Sequence, residues 1–207
     1  MTTDLLQLFG STDIYLLDQL LRGRISSGMR ILDVGCGGGR NLRYFLASGY
    51  EVFASDPDAG AIDAVRRLAL ELAPEGNPSR DPDHYRSEGL ERGTFSEGSM
   101  DVVVCNAVLH FAKNADHFHA MLAGAWRPLR AGGVFFSRLA SSIGIEDDVL
   151  PLGSGSFRLP DGTQRFLVDE DMLLAATEAL GGALLDPIKT TNVQGLRCMT
   201  TWVMRKA

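Results

Sequence analysis

Three glycines at alternate positions, Gly35, Gly37 and Gly39, follow a short apolar segment that contains Asp33. Glycine has no Cβ, so backbone at these positions can approach a bound molecule closely, and a helix that begins beyond them presents free N–H groups. A carboxylate at Asp33 would attract a cationic group and repel a pyrophosphate. The pattern therefore predicts a site for a ligand that carries positive charge, at the junction of a strand and a helix.

A dinucleotide site is the alternative interpretation of the same glycines. The pattern Gly-x-Gly-x-x-Gly, counted from Gly35, would need glycine at Arg40, so the spacing fits it only loosely. A nucleotide-dependent oxidoreductase that uses NAD or NADP remains the weaker alternative.

A second carboxylate, Asp56, follows the apolar residues 52–55. Its two oxygens suit a pair of hydroxyl groups, and the carboxyl end of a second strand is where doubly wound sheets bind ligands. The alternative is that Asp56-Pro57-Asp58 only caps the next helix, which Asp58 can do while Asp56 binds.

The segment Asp33-x-Gly35-x-Gly37-x-Gly39 resembles the class I S-adenosylmethionine-dependent methyltransferases. Residues 101–110 and 129–135 are similar to the family's fourth strand and to its turn into the fifth, and the resemblance covers about residues 25–205. The short string 37–41 also looks like the tellurite- and thiopurine-handling branch. The resemblance implies S-adenosylmethionine as cofactor, S-adenosylhomocysteine as product, and a seven-stranded, mostly parallel sheet with an antiparallel last strand. The cofactor-binding residues that it implies are Asp33, Gly35, Cys36, Gly37, Gly39, Arg40, Asn41, Asp56, Pro57, Glu88, Gly89, Leu90, Asn106 and Ala107.

The end of the third strand departs from the family's pattern. There the family usually places an acidic side chain that meets the adenine amino group, whereas an ungapped count puts Gly89 at that position. Either Glu88 substitutes through a shift of one residue, or only backbone groups of Gly89 and Leu90 contact the ring.

Acceptors that must lose a proton call for a positioned base, and His110, just past the fourth strand, is the candidate catalytic residue. The alternative is that His110 only forms a structural hydrogen bond. Candidate substrate-binding residues are Tyr15, His110, Arg138 and Arg165. The two arginines could bind an anionic group or pair with the acidic residues 146–148. We expect no metal site, since His117 and His119 lie two apart on a predicted helix and do not share a face.

Apolar runs alternate with segments of helical period, which predicts a doubly wound α/β fold with helices on both faces, and a single domain over residues 1–207. Residues 1–24 form a helical cap in this prediction, and residues 140–166 a lid-like insertion, because residues 141–164 show no clear period. The predicted helices are 13–21, 41–48, 59–72, 116–126 and 169–180. The predicted strands are 29–34, 51–55, 84–87, 101–105, 134–139, 183–189 and 198–204.

Composition limits the partners. Twenty Lys and Arg stand against 26 Asp and Glu, a net charge of −6, which disfavours nucleic acid. No apolar run approaches the roughly 20 residues that span a bilayer, so we expect no membrane and a cytoplasmic location. The motifs typical of DNA base methylation are missing, which favours a small-molecule acceptor. We expect a monomer or a homodimer. A non-catalytic protein that binds S-adenosylmethionine remains an alternative.

Overall fold

The computed structural model describes residues 5–207. The strands of this part of the chain are β1 (Arg30–Val34), β2 (Glu51–Ser55), β3 (Tyr85–Arg86), β4 (Met100–Asn106), β5 (Leu129–Ser141), β6 (Leu150–Gly153), β7 (Ser156–Arg158), β8 (Gln164–Phe166), β9 (Gly182–Leu184), β10 (Lys189–Val193) and β11 (Arg197–Lys206). Its α-helices are α1 (Leu5–Phe9), α2 (Ile14–Leu21), α3 (Arg43–Ala47), α4 (Ala59–Leu72), α5 (Ala115–Trp126) and α6 (Glu170–Ala179).

Within residues 5–207, eight strands form one mixed sheet in the order β10-β11-β5-β4-β1-β2-β3, with β9 also paired to β11. The strands from β5 to β3 in this order run parallel, and β11 runs antiparallel to β5. The doubly wound α/β fold with its antiparallel last strand is therefore confirmed. The carboxyl ends of β1, β2 and β4 meet at one edge of the sheet, because Asp33 lies opposite both Ala54 and Val104.

Alternate residues of each central strand face opposite helical layers. Leu32, Val103 and Phe135 pack with α5 and α6, whereas their neighbours Ile31 and Val102 pack with α2, α3 and α4. Helices thus cover both faces, as the alternation of apolar runs predicted.

The predicted strand over residues 183–189 is wrong in its extent. The chain forms β9 and β10 on either side of a break at residues 185–188. Pro187 has no N–H to give to a ladder, and the carboxylate of Asp186 turns to Arg24, whose Nη1 donates to it at 2.5 Å. The sheet consequently has one strand more than the seven expected.

The predicted insertion at residues 140–166 has regular structure, contrary to the expectation that residues 141–164 form a loop. β5 continues to Ser141, and the insertion folds into a small sheet of the order β6-β7-β8. Its first hairpin turns through Gly153, Ser154 and Gly155, all with positive φ, a conformation that favours glycine. The sequence pattern missed these strands because each is only three or four residues long.

The amino-terminal cap is helical in α1 and α2, and residues 1–4 of the predicted cap lie outside the described residues. The helix predicted at residues 41–48 is shorter in the structure, where α3 spans Arg43–Ala47. In the part of the chain that the structure describes, no helix has the length and apolar character needed to cross a bilayer.

Candidate active site

The glycine loop begins where β1 ends. Gly35 and Gly37 both have positive φ, of 69° and 50°. A Cβ at Gly35 would lie 2.5 Å from Cγ2 of Val108, whereas a Cβ at Gly37 would meet nothing within 4 Å. Gly35 is thus required for packing against the segment after β4, while the backbone around Gly37 faces open space that a ligand can use.

The carboxyl group of Asp33 is buried at the start of this loop. Its Oδ2 has no hydrogen-bond partner among the described residues. The pKa of Asp33 is raised to about 7, chiefly by burial; the charge of Arg40 opposes this increase and the charge of Asp56 contributes to it. A buried carboxylate without a partner is unfavourable, so Asp33 is suited to a ligand that brings a cationic donor.

Asn106 ends β4, beside β1. Both its Oδ1 and its Nδ2 are buried and without a partner in residues 5–207. The next residue, Ala107, has a φ of 62°, a strained value for a residue with a side chain, and its N–H donates to the carbonyl of Arg138 at 2.7 Å. A donor and an acceptor are therefore available next to Asp33, held by a strained turn.

Asp56 connects the glycine loop to β2. Its Oδ2 accepts from the backbone N–H of Gly37 at 2.9 Å, and its Oδ1 accepts from that of Asp58 at 2.9 Å. The cap of α4 is Asp58, whose Oδ1 accepts from Gly60. Since each carboxylate oxygen has two lone pairs, Asp56 can still accept a hydrogen bond at each oxygen.

A cavity of about 450 Å³ opens beside these residues, and we call it the cofactor cavity. The structure brings six of the predicted residues to its wall: Gly35, Asp56, Pro57, Gly89, Leu90 and Ala107. Sequence reasoning missed the other lining residues, which are Glu91, Val108, Phe111, Lys113, His117 and Met121. Four of them follow the ends of β3 and β4 in sequence, whereas His117 and Met121 lie on α5 and had no signal in the sequence.

Glu88 does not lie in this cavity. Its carboxylate accepts from the backbone N–H of Thr94 at 2.9 Å and from the hydroxyl of Thr94 at 2.7 Å, and it borders a separate surface depression. Gly89 and Leu90 line the cofactor cavity instead. Of the two alternatives for the end of the third strand, Gly89 and Leu90 are the residues that line this cavity.

Cys36, Arg40 and Asn41 hold the glycine loop in place. The N–H of Cys36 donates to the carbonyl of Ser55, and Oδ1 of Asn41 accepts from the N–H of Asp13 at 3.1 Å. The carbonyl of Arg40 accepts from the hydroxyl of Thr12 at 3.3 Å. Residues 40–41 thus fasten the segment before α2 to the glycine loop.

His110 lies in the turn after β4. Its Nδ1 accepts the backbone N–H of Ala140 at 3.1 Å, so a neutral ring carries its proton on Nε2. Burial and, to a smaller extent, the positive charge of Arg165 together lower the pKa of His110 to about 4. In this arrangement His110 offers a hydrogen-bond donor and not the lone pair that the predicted general base requires.

The predicted substrate residues form two groups. Tyr15 is engaged in packing, because its hydroxyl is 2.7 Å from Oγ1 of Thr191 and its ring lies under the guanidinium of Arg138. Arg138, Arg165 and His110 line a cavity of about 240 Å³. Among the described residues, neither arginine pairs with residues 146–148, and Arg138 pairs with Asp13 at 3.3 Å.

The family model described as a methyltransferase domain matches residues 32–137. The chain is 30% identical over 185 residues to a ubiquinone biosynthesis O-methyltransferase of Mesorhizobium japonicum, covering 86% of this chain and 68% of that protein. It is 29% identical to a malonyl-[acyl-carrier protein] O-methyltransferase of Enterobacter lignolyticus, covering 82% of this chain and 61% of the relative. The chain therefore matches about two thirds of the length of these two relatives.

Solved structures share the fold. A methyltransferase from Methanosarcina mazei superposes with a TM-score of 0.69 at 19% identity, covering 90% of this chain and 96% of the other. The 1,6-didemethyltoxoflavin-N1-methyltransferase of Burkholderia thailandensis, with its acceptor and S-adenosylhomocysteine bound, gives 0.68 at 20% identity, with coverage of 93% and 76%.

Proposed function

The chain belongs to the class I S-adenosylmethionine-dependent methyltransferases, and we propose that it transfers a methyl group to a small-molecule acceptor. The observation that carries the proposal is the set of unsatisfied polar groups at one sheet edge. Asp33 and Asn106 are buried without partners among the described residues, at the same sheet edge as Gly37, where an added Cβ would meet nothing within 4 Å. One relative is named for ubiquinone biosynthesis, which supports a small-molecule acceptor.

The residues present fit this cofactor. We assign the carboxylate of Asp33 and the amide of Asn106 to the charged amino-acid portion, because together they offer an anion, an acceptor and a donor. We assign Asp56 to the ribose hydroxyls, since each of its oxygens can accept one more hydrogen bond. The adenine ring would lie in the cofactor cavity against Gly89 and Leu90.

When bound, S-adenosylmethionine supplies a methyl group on a positively charged sulfur. In the transfer, an electron pair of the acceptor forms a bond to the methyl carbon while the carbon–sulfur bond breaks, and S-adenosylhomocysteine leaves with a neutral sulfur. The chain's own contribution is alignment, which can supply most of the rate enhancement in a displacement of this kind. Residues 11–13, fastened to Arg40 and Asn41, would help to keep water from the glycine loop.

The role that we propose for His110 is a donor and not a base. The Nδ1 lone pair is used by Ala140, so Nε2–H is the group that can contact an acceptor. The acceptor would then be a nucleophile that is already ionised or that releases its proton to water, such as a thiolate. Tyr15 is a positioning residue, because it supports the guanidinium of Arg138.

The test of this function is methyl transfer from S-adenosylmethionine that carries a labelled methyl group, in the presence of fractions of a metabolite extract. We expect S-adenosylhomocysteine and a labelled product to appear together, in at least one fraction. Asp56→Asn should greatly reduce both, and Asp58→Asn, which keeps an acceptor at the helix cap, should not. Cofactor binding without transfer in any fraction would instead support a non-catalytic binding protein.

A further inference from the structure

A second cavity lies over the carboxyl end of β5, under the inserted small sheet, and has a volume of about 240 Å³. We call it the arginine cavity, because Arg138 from β5, Arg165 from β8 and Arg197 from β11 contribute to its wall. His110 also borders it. Three separate elements thus bring guanidinium groups to one small space, which local sequence patterns could not show.

Positive charge exceeds negative charge around this cavity. Asp161 also lines it, 3.8 Å from Arg197, and accepts hydrogen bonds from the backbone and hydroxyl of Thr163. These two bonds hold the pKa of Asp161 below its usual range, so its carboxyl group stays ionised. With Asp13 paired to Arg138, two carboxylates oppose three guanidinium groups, which leaves one positive charge in excess.

Some of the donors around the cavity are unused. The Nε of Arg138 is buried without a partner among the described residues, which is unfavourable unless a ligand supplies an acceptor. Within residues 5–207 only Nδ1 of His110 has a hydrogen-bond partner, so the Nε2–H is available to a ligand. Guanidinium groups bind carboxylate and phosphate oxygens in pairs, with geometry that neutral groups do not match.

The arginine cavity is close to the cofactor cavity. In the sheet Arg138 lies opposite Asn106, and the carbonyl of Arg138 accepts from Ala107. A further depression of about 370 Å³ borders both cavities, because its lining includes His110 and Arg165 of the arginine cavity and Phe111 of the cofactor cavity. A small molecule that occupied this depression would reach from the arginines toward the cofactor cavity.

We infer that the arginine cavity binds an anionic group of the methyl acceptor, a carboxylate or a phosphate, through Arg138, Arg165 and Arg197. This inference rests on the proposed function, because it assigns the substrate class of the same site. It makes the preferred acceptors small organic acids or phosphate esters.

The test is titration calorimetry on the protein saturated with S-adenosylhomocysteine. The probes are benzoate, its neutral isostere benzamide, and inorganic phosphate. We expect benzoate or phosphate, whichever matches the natural anion, to bind at least about tenfold more tightly than benzamide. Arg165→Gln and Arg197→Gln should each lower the affinity for the anion about tenfold. Arg67 is an exposed residue on α4, and Arg67→Gln should leave this affinity unchanged.

A charge change of the opposite sign completes the test. Asp161→Asn keeps an oxygen for Thr163 and removes a negative charge, so it should tighten anion binding several-fold while benzamide is unaffected. Binding of S-adenosylhomocysteine shows that each variant is folded. If that cofactor product does not bind the wild type, the proposed function fails. If it binds but the anions show no preference over benzamide, or the arginine variants bind them like the wild type, only the present inference fails.

Discussion

Asp33 shows that a residue suited to ligand binding can lower the stability of the ligand-free protein. Its carboxyl group is buried, and its Oδ2 lacks a partner in residues 5–207. The position of Asp33 just before the glycine loop was enough to predict that its carboxylate contacts a cationic ligand. Sequence could not show that burial raises its pKa to about 7, since that depends on long-range packing.

Replacing Asp33 should therefore stabilise the ligand-free protein in a pH-dependent way. The pKa is higher in the folded chain than its ordinary value of 3.8, so wild-type stability falls as the pH rises from about 4 to 7, and the penalty is complete above 7. Asp33→Asn should raise the free energy of unfolding by about 2 kcal/mol at pH 8 and by little at pH 4. Urea denaturation at both pH values measures this. An equal change in the free energy of unfolding at pH 4 and pH 8 would contradict this prediction.

The hydrogen bond between His110 and Ala140 makes a second prediction. His110→Ala should lower the free energy of unfolding by about 1 to 3 kcal/mol, because the buried N–H of Ala140 loses its acceptor. His110→Asn should recover most of this loss, since Oδ1 can occupy the place of Nδ1. Urea denaturation of the two variants is the measurement, and equal losses would show that the bond is unimportant.

The sequence predicted the parallel strands of the main sheet better than the segments that pack near their ends. The parallel strands were found because their apolar runs are continuous, as burial on both faces requires. The small sheet β6-β7-β8 was predicted as a loop, and its role in placing Arg165 appears only in three dimensions. The sequence analysis also missed Arg197, because it is distant in sequence from every motif and reaches the cavity only in the folded chain.

The contact between α5 and the turn at residues 90–92 gives an element-level prediction. A Cβ at Gly124 would overlap the carbonyl oxygen of Leu90, which lies in the wall of the cofactor cavity. In an ordinary helix Gly→Ala stabilises. Here Gly124→Ala should lower the free energy of unfolding by about 1 to 3 kcal/mol and weaken S-adenosylhomocysteine binding.

Thermal denaturation and calorimetry measure the two effects. Gly38→Ala is the control for stability, because Gly38 has no positive φ and a Cβ there meets nothing within 4 Å. A stabilising effect of Gly124→Ala would refute the proposed contact.

Considered as one molecule, the protein places both proposed sites on one edge of one sheet. The cofactor cavity follows β1, β2 and β4, and the arginine cavity lies at the carboxyl end of β5 and the amino end of β11. Family resemblance predicted the first, because its glycines and acids are close in sequence. The second arises from residues between 110 and 199, so only the folded chain brings them together.

The most direct test of the account is a calorimetric titration of the purified protein with S-adenosylhomocysteine and, separately, with NADH. We predict one site for S-adenosylhomocysteine and no binding of NADH. Asp56→Asn should weaken S-adenosylhomocysteine by about 10- to 100-fold, while Asp58→Asn, at the neighbouring helix cap, should bind like the wild type. Binding of NADH in place of S-adenosylhomocysteine, or unchanged affinity in Asp56→Asn, would contradict the account.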